Sequence, residues 1–471
     1  MKESISPREI IDVFNKNTDF KQRIIKNENK NIYIFFIEGM IDRVALTQFV
    51  IDNVPKELSL RKAVENGKIS FCACAEAESK KAVISGILRG MAAVLDGEDA
   101  YLFDVRKTEK RSVSQPDEES SVKASKDCFV EEVKVNTTLL RKKIISEHLV
   151  LESIQIGKQS NTEVVLAYMD NVANGDLIKA VREKLDKIDV DGIITPGVIE
   201  QYLSSKLYSV FPQTVITERP DKVCRHLLSG RCAVLVDGLP IGYIVPATVS
   251  QFMSTPDDYS GNFIFASVVR VLRYFLLFVQ VLLPGAYIAL TTFHYEMLPS
   301  KLALSIAQAK SGVPFPVAFE ILAMLALFEV LVQAGLHMPK SSGQAVSIVG
   351  ALVVGEAAIN ADLISPAALI IVAVSVICSF AMPNQEFGNG LRLWRVVIAL
   401  AGSVLGLFGV VAGGIVLLSN FARLESFGVP YLAPFAGVKK IRLRDELVVF
   451  PDKLNRFRPS ELNVKNRRRT K

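Results

Sequence analysis

The spacing of apolar and polar residues changes twice along the chain. Up to about residue 262 apolar positions come in short runs and periodic sets. NIYIFFI (31–37) reads as a buried strand, and ALTQFVIDNV after it as helical. VVLAYM (164–169) predicts another strand. GDLIKAVREKLDKI (175–188) places apolar residues at 177, 178, 181, 185 and 188, one face of a helix. TERPDKVCRHLLSG (217–230) carries helix start and stop signals, with Thr217 as the expected cap, Pro220 in the first turn and Gly230 at the end. CAVLVDGLPIGYIV (232–245) reads as strand, Asp-Gly turn and strand. From 263 to 438 five apolar stretches follow, at 271–293, 314–335, 344–360, 364–382 and 394–419. A membrane-crossing helix needs about 20 apolar residues. The first, second and fifth reach that length, the fourth nearly does, and the third is short.

These patterns predict a multi-domain membrane protein. An N-terminal soluble α/β region of two subdomains, 1–106 and 128–250, precedes an α-helical transmembrane domain over 263–438 and a basic tail over 439–471. The link between the subdomains, 107–127, has ten charged positions in 21 and almost no large apolar residue.

Charge refines the picture. The net charge is +6 over 471 residues. The tail holds twelve Lys/Arg against four acids, 12 − 4 = +8, so the remainder sums to 6 − 8 = −2. A solvated terminus and contact with anionic headgroups both fit such a tail. Nucleic acid is not an expected partner, since few aromatics are there to stack bases. The first residues lack the apolar core of a cleavable signal. The soluble region is therefore expected in the cytoplasm, and Lys439, Lys440 and Arg442 place the far end of the membrane domain on the same side. An even number of crossings follows. Either one stretch does not cross or one is split in two, and four crossings with 344–360 as a re-entrant element is the preferred count.

Candidate chemistry is sparse. There is no P-loop, dinucleotide glycine fingerprint, HExxH or GxSxG. The four histidines are scattered, Cys72 and Cys74 form only a CxC, and His226 reads as structural. Neither enzyme, metal nor cofactor is expected. Membrane-embedded polar residues are the stronger signal, because a charge at bilayer depth costs a few kcal/mol and faces a cavity or a partner. The candidates are Glu320, Glu329, Gln333, Gln344, Glu356 and Asn360. Nine residues separate Glu320 from Glu329, which puts them on opposite helix faces. Glu320, one turn past Pro314-Phe-Pro316, is expected at a hydrated interface or against a partner helix. Small residues recur at four-residue spacing: Gly343, Ser347, Ala351 and Gly355, then Gly402 and Gly406, and Gly409 and Gly413. Such ridges let helices pack closely and suggest an oligomer.

At this point the chain resembles the A subunits of GerA-family spore germinant receptors. The resemblance rests on RSVSQPDEES through FVEEVKVNTTLLRKKI, DVDGIITPGVIEQYL, FPQTVITERPDKVCRHLLSGRCAVLVDGLPIGYIVP, LPGAYIALTTFH, KLALSIAQAKSGVPFP, GQAVSIVGALVVGEAAI and FGVPYLAPFAG (427–437). It implies a protein of the spore inner membrane with both ends on the core side. Its implied partners are a transporter-like B subunit, a lipoprotein C subunit, membrane lipid and copies of itself in a ring around a path for monovalent cations. A related sporulation-operon paralogue shares this architecture. A secondary transporter would need internal repeats, and none is visible. This chain departs from the family pattern where Leu325 replaces a common acid, where Glu356 replaces a common Gln, and near Lys123, where a usual glycine is missing.

Overall fold

The computed structural model describes residues 5–27, 30–51, 74–97, 99–107, 119, 121, 123–337, 355–436, 446–451 and 453–469. The soluble half contains two five-stranded antiparallel sheets. The first joins β1 (Phe20–Asn27), β2 (Lys30–Ile37), β3 (Cys74–Glu76), β4 (Ala92–Asp96) and β5 (Asp99–Phe103) in the order β1-β2-β4-β5-β3. β2 sits inside the sheet. Ile34 and Phe35 therefore face opposite sides, and both are fully buried. The helix Lys80–Leu88 covers one face, and Ser79 caps it by accepting the Ala82 N–H.

The second sheet joins β6 (Leu149–Ile156), β7 (Thr162–Met169), β8 (Val215–Thr217), β9 (Cys232–Val236) and β10 (Gly242–Val245) in the order β6-β7-β9-β10-β8. Helix Gly175–Asp186 lies on one face and buries Leu177, Ile178, Val181 and Leu185, the positions its periodicity marks. Helix Pro220–Leu228 lies on the other. Its N-cap position is Arg219, not Thr217. Thr217 ends β8 instead and accepts the Arg219 N–H at 3.2 Å. Pairing with β10 kept that residue extended.

The exposed edge of β6 is closed by the first subdomain. Thr18 donates its N–H to Leu151 O at 3.0 Å and accepts from the Ser153 N–H at 3.0 Å. Arg141, 1% exposed, reaches across to Asp19 at 2.7 Å and Asn17 at 2.7 Å. An open strand edge is a template for unwanted pairing; here it is used to join the subdomains. The end of the charged link is fastened too, since Arg219 donates to Glu119 O at 3.1 Å and Ser125 O at 2.6 Å.

The membrane half is helical. Helices Phe263–Thr292 and Val317–His337 are long and apolar enough to cross a bilayer, and Pro366–Phe380 is a shorter apolar helix. A third long helical segment, Gln385–Arg423, would be a single rod of about 58 Å if straight. It is not straight. Gly406 has φ 60° and ψ −143°, and beyond it the chain turns back. A Cβ on Gly413 would lie 2.9 Å from Ile398, and one on Gly402 would lie 3.0 Å from Val410. The rings of Phe387 and Phe421 stack 6.0 Å apart at the base. The 394–419 stretch is therefore a helical hairpin with two arms, 385–405 and 407–423, each about 25–32 Å long.

The hairpin fits the alternative in which one stretch is split in two, and the number of crossings rests in part on residues outside the described ones. The first helix runs away from the α/β region. Val317–His337 and Pro366–Phe380 both run toward it, as the pairings Glu329–Arg392 and Ser375–Gln280 show. The hairpin then goes out and back. Residues 338–354, with Gly343, Gln344, Ser347 and Ala351, lie outside the described residues.

The tail differs from the solvated terminus its charge suggested. Leu462 and Val464 are 3% and 5% exposed and belong to the same core as Phe129, Leu227, Phe387 and Phe421. Lys465 donates its N–H to Val172 O at 2.9 Å, and Val449 donates its own to Ser267 Oγ at 3.0 Å. Residues 446–451 and 453–469 therefore strap the second subdomain to the first membrane helix. Charge counting missed this because two apolar side chains among the basic ones hold the strap down.

Candidate functional site

The hairpin sets the centre of the bundle. Its small residues do not all serve one purpose. Gly402 lets the first arm approach the first helix, where a Cβ would meet Gly285 O at 2.8 Å. Gly409 and Gly413 let the arms approach each other, against Ala401 O and Ile398. Gly406 is the turn itself, so it is no part of a packing ridge. Gly355 is buried, and a Cβ there would stand 3.5 Å from Leu369.

Polar groups sit at several depths in this bundle. Glu320 is 1% exposed. Its Oε2 accepts the Ser365 N–H at 2.9 Å and the Ser365 hydroxyl at 2.8 Å. It thus places a carboxylate on the N-terminus of helix Pro366–Phe380, where the helix dipole favours negative charge. Lys310 Nζ lies 4.0 Å from Oε1. This replaces the hydrated-interface reading: the helix start is covered by the loop before Ser365.

Arg395 lies midway along the first arm, ten residues from each end, and is 2% exposed. It donates from Nη1 to Ser375 Oγ at 3.3 Å, and Ser375 in turn donates to Gln280 O at 2.8 Å. Arg395 Nε and both side-chain amide atoms of Gln280 have no hydrogen-bond partner among the described residues. Buried polar groups are normally satisfied, so this trio is an unusual polar centre. The lone Gln280 in an apolar run was a visible signal. Arg395 sat at the margin of a stretch and its partners are on other helices, so spacing along the chain did not find it.

Glu329 is different again. Its side chain is 45% exposed and pairs with Arg392 at 3.1 Å. Gln333, one turn on, is exposed, as are Glu356 and Asn360. Glu356 has no hydrogen-bond or ion-pair partner among the described residues. Of the sequence candidates, Glu329 and Gln333 therefore share one outward face. Glu320 lies inside, and Glu356 and Asn360 belong to a separate short helical segment near Leu369.

A second polar cluster joins the bundle to the α/β region. Asp258, 4% exposed, receives Arg270 at 2.9 Å and Arg273 at 2.9 and 3.0 Å. Burial alone would raise its pKa, but the hydrogen bond from Arg273 and the charges of Arg270 and Arg273 outweigh it and hold the carboxyl below its usual range. Beside it, an aromatic group fixes the hairpin base to the second subdomain. Phe211 lies 4.5 Å from Phe421, and Phe252 stacks 5.4 Å from Phe387. In the α/β core, burial pushes the thiols of Cys224 and Cys232 up to about 12, which keeps them as inert packing groups. Among the described residues, no three His, Cys, Asp or Glu side chains converge as they would around a metal ion.

Two antiparallel sheets docked on a polar-centred bundle of apolar helices define a membrane protein whose soluble and membrane parts share one core. The chain belongs to the Bacillus/Clostridium GerA spore germination protein family, which matches residues 8–461. Spore germination protein KA of Bacillus subtilis (strain 168) is 33% identical over 452 residues, covering 94% of this chain and 83% of that protein. Spore germination protein B1 of the same organism is 32% identical over 478 residues, 97% of this chain and 99% of that one. Among solved structures, the N-terminal domain of the A subunit of the Bacillus megaterium spore germinant receptor GerK3 is 27% identical, covers 51% of this chain and 92% of that chain, and has a TM-score of 0.41.

Proposed function

We propose that this chain is the A-type subunit of a nutrient germinant receptor in the spore inner membrane. In this reading several copies surround a path for monovalent cations. A transporter-like subunit and a lipoprotein complete the receptor, and the α/β region and tail face the spore core. Family membership over nearly the whole chain supports the receptor part. The observation that carries the conduction part is Glu329. A carboxylate 45% exposed on the outside of an apolar bundle cannot face lipid without a cost of a few kcal/mol. It must meet water or another copy. Gln333 on the same face extends the polar strip by one turn. The Arg392 partner, on the hairpin, ties the strip to the element whose base rests on the α/β region. A ligand signal reaching that base would tilt the hairpin arm and reset the Glu329–Arg392 pair.

The test uses spores carrying Glu329→Gln at normal protein level, checked by immunoblot of the membrane fraction. Nutrient-triggered potassium release is expected to slow at least fivefold. Release at the unaltered rate, with the protein present, would remove Glu329 from the conduction path.

A further inference from the structure

A cavity of about 680 Å³ lies outside the bundle, between helix Pro220–Leu228, the segment before the first membrane helix, and the tail strap. Its charged lining is lopsided. Arg225, Arg231, Arg456, Arg458 and Arg469 face Glu446 and Glu461, so 5 − 2 = +3. Three of these arginines donate hydrogen bonds to neutral groups. Arg231, 3% exposed, donates to Pro246 O at 3.2 Å. Arg458 donates to Leu228 O at 2.8 Å and Asn466 O at 3.1 Å. Arg469 donates to Ser229 Oγ at 3.3 Å. Carbonyls and hydroxyls orient a guanidinium without neutralising it. Burial and the neighbouring Arg469 charge push Arg458 below its ordinary pKa. The buried Ser460 Oγ lines the same cavity and has no hydrogen-bond partner among the described residues.

Glu446 and Glu461 offset only part of this charge, and burying an excess of three positive charges is costly unless an anion joins them. Planar guanidinium forks match the paired oxygens of phosphate. The volume suits a small organic ligand rather than a bare ion, and Phe450, Phe457 and Tyr259 supply apolar wall. We propose that this cavity binds a phosphate-bearing ligand, either an anionic phospholipid headgroup from the adjoining bilayer or a free phosphorylated small molecule. Both sources fit the position: Val449 of the strap touches Ser267 at the start of the first membrane helix, while Arg225 and Ser229 of the α/β region line the cavity from the other side. Because the tail supplies most of the wall, a bound phosphate would lock the strap onto helix Pro220–Leu228.

The experiment measures the thermal transition of the full chain in detergent at constant ionic strength. It is titrated separately with pyrophosphate, with short-chain phosphatidylglycerol, and with phosphatidylcholine of the same chain length as control. A saturable rise in Tm with phosphatidylglycerol alone assigns the lipid source, and a saturable rise with pyrophosphate assigns the soluble one. The double variant Arg456→Gln/Arg469→Gln is expected to need roughly tenfold more of the same probe. Arg456→Gln alone serves as a second variant, because its exposed side chain carries no part of the fold; it should weaken the response about threefold. The proposal is overturned if neither phosphate probe gives a saturable rise, or if both variants respond as the unaltered chain does.

Discussion

Replacing Gly406 with alanine separates a hairpin from a straight helix by sign alone. In a straight apolar helix Gly→Ala is stabilising by about 1 kcal/mol. In the hairpin two costs arise. The backbone at φ 60° and ψ −143° belongs to a region that residues with a Cβ rarely occupy, worth about 1–3 kcal/mol. The new Cβ would also stand 2.9 Å from the His294 ring and 3.2 Å from Phe293, closer than ordinary contact. Crowding of that kind costs about 1–3 kcal/mol. Together they predict a loss of about 2–6 kcal/mol. Gly414→Ala is the internal control: it lies inside a helical arm with its Cβ at an ordinary 3.6 Å from Leu282, so it should be neutral or stabilising by up to about 1 kcal/mol. Thermal unfolding of the purified protein in detergent, followed by intrinsic fluorescence, reads both variants side by side. A drop of several degrees for Gly406→Ala with none for Gly414→Ala supports the turn. A Gly406→Ala protein as stable as its parent, or more so, would refute it.

Two further predictions concern the junction. Asp258→Asn leaves Arg270 and Arg273 without their shared carboxylate in a buried site, which should cost about 3–5 kcal/mol; an unchanged transition in detergent would show that the cluster contributes nothing to holding the halves together. His226 is held well below its ordinary pKa, first by burial and then by the charges of Arg231, Lys222 and Arg225. Its folded form resists a proton that the unfolded chain accepts, so its contribution is complete above about pH 6.5 and is lost below it, at up to about 1.4 kcal/mol per pH unit. His226→Gln should flatten the fall in Tm between pH 6.5 and 5.5, and parallel curves for the two proteins would count against this.

The sheets were legible because strands rich in Val, Ile and Phe must bury both faces, and Ile34 and Phe35 do so within one turn of pleat. The helix at 175–186 was legible because its apolar residues keep a 3.6 period. The hairpin was not. Gly402, Gly406, Gly409 and Gly413 share a spacing that fits one helix packing on another, and the turn has neither proline nor polar residues to betray it. A glycine that permits close approach and one that permits a positive φ look alike in a sequence. The polar candidates divided in the same way. Glu320 and Glu329 read as equals along the chain, yet one caps a neighbouring helix and the other faces outward. The partner that decides this, Ser365 or Arg392, is 45 or 63 residues distant.

The strap also bears on the order of biosynthesis. Val464 completes the wall beside Gly230 and Val172, yet it is made about 220 residues after β10 closes the second sheet. At roughly 5–20 residues per second that is a delay of roughly 10–40 s. During it the newborn subdomain lacks part of its interior while the helices between are being threaded into the bilayer. Its final consolidation therefore waits on insertion. A chain whose helices fail to insert would leave a visibly unfinished domain for proteases to remove.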